Sequence, residues 1–285
     1  MVFDRARAVL TRYSVAGSEL LKQGPVFSVA RATIDNDRTH LEAVRMLTTL
    51  TDTVRRFVVS QTEDAAVVTV HRTLDGLYRP EQVPQWKKDR GKPEKSGPGG
   101  FHVSEVYRVL GDGCIEVVCA VEPFGLLPDL QRIGYEWTTP AGFDRFDWYG
   151  RGPHESYGDR RASAYLGAYH GTVDEQFVNY PVPQENGNKT DVRWAMLRND
   201  SGARIKIYGQ QPLSVSVRHY STENLEAAKH PYDLKKIDET VMNIDYQHGP
   251  LGNASCGAGP LDKYKIKIAP ARFNFYIEGF GAGSE

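Results

Sequence analysis

The sequence predicts an all-β fold, a single sandwich of large antiparallel sheets extending over residues 1–285. Three observations carry this. Segments rich in Val, Ile, Tyr, Phe and Thr recur with period-two alternation, and turn signals separate them roughly every 8–12 residues. Only one stretch, residues 222–230, reads as a convincing helix, with Ser221 or Thr222 as its N-cap. Strand and helix do not alternate as an eight-fold βα barrel would require.

The elements follow in order. Residues 2–22 read as short strands around Ala16-Gly17, marked by Val9, Leu10, Tyr13, Val15, Leu20 and Leu21, until Gly24-Pro25 breaks the run. Residues 38–50 are ambiguous, with a partial helical stripe at Leu41, Val44, Met46 and Leu47. Strands are predicted over 53–61 and 65–74. Residues 84–100 hold three prolines, four glycines and a local basic excess, so they read as a long exposed loop joining two strands of one sheet, with Trp86 its one anchor. Gly111-Asp112-Gly113 turns a hairpin between 101–110 and 114–121. A second hairpin is expected between 132–138 and 143–149 around residues 139–142. Residues 162–178 read as irregular. Strands then follow over 192–199, 203–209, 213–220, 241–246, 264–268 and 273–278, with a turn at Gln210-Gln211-Pro212.

Composition narrows the function. With 285 residues, 40% hydrophobic, and a net charge of −1, the chain has ordinary globular composition and lacks the basic excess of a nucleic-acid surface. Trp86 among basic residues is a weak nucleic-acid signal that no wider basic face supports. No apolar run is long enough for a membrane helix, and the first residues lack the apolar core of a signal peptide. Cytoplasmic location is the expectation. The chain opens directly on a strand, as a fragment or one subunit of something larger would. Cys114, Cys119 and Cys256 form no disulfide framework or zinc spacing and read as unpaired thiols suited to a reducing compartment. The Gly-rich stretch 249–260 lacks the Gly-Lys-Ser/Thr of a phosphate loop. Asp35-Asn36-Asp37 lacks the glycine and distal Glu of a calcium loop, and reads as a turn or a polar contact to a neighbouring domain.

Two polar corners stand out. In the first, a strand ending at Trp148-Tyr149 runs into Gly150-Arg151-Gly152-Pro153, then Arg151, His154, Glu155, Tyr157, Asp159 and Arg160 crowd one turn. The second is residues 180–190, with Glu185 and Asn186. These residue types suit either a carbohydrate-facing rim or a self-satisfied ion-pair network. The arginines beside the carboxylates favour the network, since they would lower rather than raise a catalytic acid's pKa. No residue is assigned as catalytic and none as a metal ligand.

Several motifs together resemble one family. In order they are Arg31-Ala32 with Asp35-Asn36-Asp37, Gly150-Arg151-Gly152-Pro153-His154-Glu155-Ser156-Tyr157 with Asp159-Arg160, Pro183-Gln184-Glu185-Asn186-Gly187, and Asn243-Ile244-Asp245-Tyr246 followed by Leu251-Gly252-Asn253 and Ser255-Cys256. They resemble the C-terminal domain, or small subunit, of family 2 β-galactosidases over about residues 3–278. The resemblance implies a supersandwich similar to galactose mutarotase. It also implies that the catalytic glutamates, and the magnesium and sodium that the family uses, lie mainly on a TIM barrel outside this chain. The partners implied are that barrel-bearing remainder and a galactoside substrate, with neither nucleic acid nor membrane. It further implies that the loop 252–257 approaches the site through Asn253, Ser255 and Cys256. Cys256 stands where many members carry a sugar-stacking Trp, and a thiol lacks that amphipathic face. The chain alone is therefore expected to be inactive. The alternatives are a free-standing mutarotase-type enzyme, needing a His/Glu pair supplied by His71, His102 or His219, and a carbohydrate-binding module.

Overall fold

The structure, a computed structural model, describes residues 1–80, 95–252 and 259–283. Its organising feature is one long bent strand, β13 (Arg204–Arg218), from which two sheet arms part. On its first half, Arg204–Gly209 pair with β15 (Ala271–Phe280). β15 continues to β8 (Ile115–Gly125), β7 (Gly97–Leu110), β6 (Ala65–Tyr78) and β5 (Thr51–Gln61), all antiparallel. On its second half, Ser214–Arg218 pair instead with β14 (Thr240–His248), which leads to β9 (Arg132–Thr139) and β4 (Gln23–Ser28). The other edge of β13 carries β12 (Lys189–Arg198), then β10 (Arg145–Gly152) and β11 (Tyr165–Thr172). A small sheet of β1 (Val2–Asp4), β2 (Val9–Val15) and β3 (Ser18–Leu21) completes the β structure.

The two arms face each other across an apolar core. Tyr135 of β9, fully buried, packs its ring on Phe27 of β4 and on Phe273 and Phe275 of β15, at centroid distances of 5.7, 6.2 and 5.2 Å. Burying a side chain of this size contributes about 1.5–3 kcal/mol. Alternation puts Glu136, its neighbour, on the opposite face of β9, where Arg218, Thr222 and Asn243 bond its carboxylate. The small sheet is tied on by Tyr13 Oη to Gly113 O (2.9 Å) and by Arg72, whose guanidinium joins Ala8 O, Asp52 and the buried Glu105. Cys119 lies in the core and Cys114 lies buried on the other face.

Several segments differ from the sequence-based expectation. Residues 132–138 and 143–149 are not a hairpin, because both edges of β9 are already taken by β14 and β4, and β10 pairs with β11 and β12. Residues 165–172, expected to be irregular, form the edge strand β11. Gln210-Gln211-Pro212 is no turn. It is the bend where β13 exchanges β15 for β14, a place where Pro212 forfeits a ladder hydrogen bond cheaply. Residues 264–268 form no strand, and a 3₁₀ turn, Asp262–Tyr264, occupies their start. The ambiguous stretch 38–50 contains α1 (Leu41–Thr48). The predicted helix is shorter, α2 (Thr222–Ala227), capped by Ser221 Oγ. It stops because the amides of Lys229 and His230 bond the Asp233 carboxylate instead of helix carbonyls. Of the expected loop 84–100, residues Gly97–Gly100 already belong to β7, and 81–94, with Trp86, lie outside the described residues.

Candidate functional site

The two polar corners and the acidic triplet, far apart in sequence, meet at one place. Gly150–Gly152 ends β10, and the chain turns so that Ser156 N bonds Asn188 O at 2.7 Å while Asn188 Nδ2 returns a bond to Ser156 O at 2.8 Å. That reciprocal pair docks the first corner on the second. The acidic triplet is joined to the second corner by Gln184, whose side chain accepts from Asp35 N at 3.1 Å and donates to Asp35 Oδ2 at 3.2 Å.

Glu155 is the hub of the first corner. One carboxylate oxygen accepts from Arg160 and Tyr180, and the other accepts from Tyr157 Oη at 3.2 Å and Gly187 N at 2.9 Å. Arg160 also lies over the Tyr157 ring, 5.5 Å from its centroid. Arg151 bonds Asp191 at 2.5 Å and Ala164 O at 2.8 Å, and exposed His154 meets Ser163 Oγ at 3.0 Å. Lys189 Nζ, almost wholly buried, sits 5.2 Å from the centre of the Trp148 ring, and burial lowers its pKa to about 8 against the pull of Glu155. Burial, reinforced by the neighbouring Glu155, pushes the Tyr157 phenol well up.

Asp159 points away from this network. Its two oxygens accept from Leu251 N at 3.1 Å and Gly252 N at 2.7 Å. Around the same segment, Arg31 donates to Gly249 O at 3.1 Å and Pro250 O at 3.0 Å, and Asn36 donates to Leu251 O at 2.6 Å. Arg31 is itself clamped by Asp37, at 3.1 and 3.2 Å. Gly252 has φ of +100°, and a Cβ there would lie 2.5 Å from the Asn36 amide, so only glycine fits this close approach. Residues 249–252 are thus held on both sides where they lead into the loop 252–257. Asn253, Ser255 and Cys256, the loop residues assigned next to substrate, lie outside the described residues.

Behind this clamp lies a second cluster, of Arg132, Glu185, Asp245 and His248. Arg132 donates to Glu185 at 3.1 Å and lies 3.5 Å from Asp245, and His248 Nε2 lies 3.8 Å from Glu185. The two carboxylates respond oppositely. Burial would raise Glu185, but Arg132, the nearby His248 and the charge of Arg218 outweigh it and hold the carboxyl well below its usual range. For Asp245 burial prevails over Arg132 and the carboxyl is raised.

The corner residues are therefore brought together. Glu155, Tyr157, Glu185 and Asn186 are buried, and Asn186 spends its amide on Val178 N and Gln184 O. Glu155, Tyr157 and Asn186 spend their polar groups on protein partners. Arg160, Arg151 and His154 remain at the surface. Sequence reasoning gave no role to Arg132 or His248. Their signal is a charged or titratable residue on each strand at one end of the β9–β14 pair, where Arg132 lies opposite His248 in register. The acidic triplet has little oxygen left for an ion, since Asp37 Oδ2 accepts from Arg31, Ile34 N and Gln131. Among the described residues no three His, Cys, Asp or Glu side chains group as a metal site. No helix among them is long and apolar enough to cross a membrane. Of the histidines named for a mutarotase-type site, His71 and His102 are diagonal neighbours on β6 and β7, with Glu122 opposite His102, and His219 lies on another part of the fold, just past the end of β13. His102 stacks on Phe124 and touches Thr73, while His219 bonds Asp144 and Glu239 O.

Comparison with known proteins places these observations. A family model described as beta galactosidase small chain matches residues 1–277. Curated relatives include the beta-galactosidase of Priestia megaterium, 30% identical over 273 residues that make up 94% of this chain and 24% of that protein. The beta-galactosidase of Streptococcus thermophilus is 28% identical over 289 residues, covering 98% of this chain and 26% of that protein. This chain thus spans about a quarter of the length of the curated relatives it matches. Similar solved structures include a galactose mutarotase related enzyme from Lactobacillus acidophilus (TM-score 0.39, 10% identity, 80% of this chain and 72% of that one). Another is an aldose epimerase homologue from C. elegans (TM-score 0.40, 7% identity, 80% and 70%).

Proposed function

This chain belongs to the β-galactosidase small-chain family, and from that premise we propose that it completes a β-galactosidase acting on terminal β-D-galactosides such as lactose. In this reading the chain builds one wall of the active site and supports assembly. A barrel-bearing remainder, in the same polypeptide or as a large subunit, supplies the nucleophile, the acid/base carboxylate and the family's magnesium and sodium. The assembly works in the cytoplasm. One observation carries the assignment of a wall. Asp159, on the motif-rich first corner, holds the amides of Leu251 and Gly252 at the mouth of the loop that carries Asn253, Ser255 and Cys256. A turn that directs so many polar groups inward, yet spares one carboxylate to grip a distant loop, is built to position that loop. The chain's own corner carboxylates are matched to arginines and amide donors, which suits neither the raised acid nor the spaced pair of a retaining hydrolase.

The test is reconstitution. The purified chain should not turn over a chromogenic β-galactoside. Adding the barrel-bearing part should restore turnover, and deleting residues 252–257 should reduce it while leaving the sandwich folded. Hydrolysis by the isolated chain, abolished by a substitution within it, would overturn the reading.

A further inference from the structure

The cluster behind the loop clamp contains more polar capacity than its members use on one another. Arg132 from the start of β9, Asp245 and His248 from β14, and Glu185 from the second corner are each at least nine-tenths buried. Yet Arg132 Nε and Nη1, Glu185 Oε2, both oxygens of Asp245 and His248 Nε2 have no hydrogen-bond partner among the described residues, although Arg132 Nε and Asp245 Oδ2 face each other as an ion pair at 3.5 Å. Buried polar atoms are rarely left so, and a group of them on converging side chains points to a ligand. The separations show convergence, with Arg132 between the two carboxylates and Glu185 between Arg132 and His248. Room for Asp245 is built into the opposite strand, because a Cβ on Gly134 would lie 2.2 Å from Asp245 Oδ1.

The chemistry of the free atoms selects the ligand. The guanidinium N–H groups need an acceptor, and the carboxylate oxygens need donors. A metal cation would satisfy the oxygens but meet the charge of Arg132, and an anion would meet two carboxylates. A small neutral molecule that both donates and accepts satisfies all of them, and in a protein interior that molecule is water. His248 gives the cluster its connection outward. Its Nδ1 lies 2.9 Å from Gly249 O, a carbonyl that can only accept, so Nδ1 carries the proton and the ring ties the cluster to the first residue of the clamped segment. Gly249 N in turn donates to Gln131 O at 2.8 Å, beside Arg132.

We propose that Arg132, Glu185, Asp245 and His248 enclose ordered water bridging the guanidinium to both carboxylates, and that segment 249–252 rests on this hydrated joint.

Crystals of the full chain that order internal water test the first half. The expected result is solvent density within about 2.6–3.2 Å of both an Arg132 nitrogen and an oxygen of Glu185 or Asp245, unchanged after a rubidium soak. Direct bonds that close the cluster without solvent, or an anomalous rubidium peak inside it, would overturn the proposal. Amide hydrogen exchange tests the second half, using Asp245→Asn, which keeps the side chain's shape but alters what it offers the water. Exchange at Gly249 and Gly252 should speed up several-fold relative to the β6–β7 amides, whose rates serve as the folding control. Unchanged exchange at both glycines in a folded variant would remove the joint's role in holding the segment.

Discussion

Replacing Glu155 by Ala isolates the energy of the first corner. Four donors converge on this carboxylate, but they do not lose equally when it goes. Arg160 is 51% exposed in its side chain and Tyr180 is half-buried, so both can turn to water, and a pair of that kind contributes at most about 1 kcal/mol. Tyr157 Oη and Gly187 N cannot, since both residues are buried. Each orphaned donor costs about 1–3 kcal/mol, so the substitution should destabilise the chain by about 2–6 kcal/mol. Glu155→Gln, which keeps an acceptor oxygen but turns an amide donor toward one partner, should fall near the lower end. Urea unfolding followed by tryptophan fluorescence reads the effect as a lower midpoint at constant slope. A change under about 0.5 kcal/mol for the alanine variant would refute the account of Glu155 as the donor hub.

Three further outcomes are expected. Lys189→Met should stabilise the chain at pH 7 by about 1–3 kcal/mol, because its amine is lowered from 10.5 to about 8 by burial. Between those values the unfolded chain holds the proton and the folded chain has lost it, so wild-type stability gains with rising pH; the variant's advantage should be full below pH 8 and absent above about 10.5. Denaturation at pH 7 and pH 10 checks this, and an equal advantage at both would contradict it. Arg132→Met should cost about 3–5 kcal/mol in the same assay, since it strands Glu185 and Asp245 without their cation. Asp159→Ala should lower galactoside turnover of the reconstituted assembly while moving the chain's own melting temperature by only a few degrees, because its two bonds end in the 249–252 segment and not in the sheet.

The strands were legible where alternation and a short turn coincide, as at Gly111-Asp112-Gly113 between β7 and β8. They were misread where a tertiary partner decides. Nothing local distinguishes a hairpin at residues 139–142 from a crossover, because the competitors for β9 come from residues 23–28 and 240–248. Pro212 signals a turn by its chemistry, but it sits where a strand is exchanging neighbours and the missing N–H is tolerated. At the site, residue types mark the two corners but not which partners each carboxylate takes. Glu155 and Glu185 look alike in sequence; one gathers four donors and the other is sealed beside Arg132, a residue 53 positions away.

The place of β15 has a consequence for how the chain is made. Strand β15, Ala271–Phe280, the last among the described residues, is not at a border but is inserted between β8 and β13. As the polypeptide leaves the ribosome, every other strand can emerge while those two remain with open ladders facing each other. A nascent chain therefore carries two adhesive borders until β15 is free, the state in which edge-to-edge association and chaperone capture compete with folding. A premature stop ahead of Ala271 would not trim the protein but divide its main sheet in two, and such products should be found in aggregates or degraded rather than as shortened folded chains.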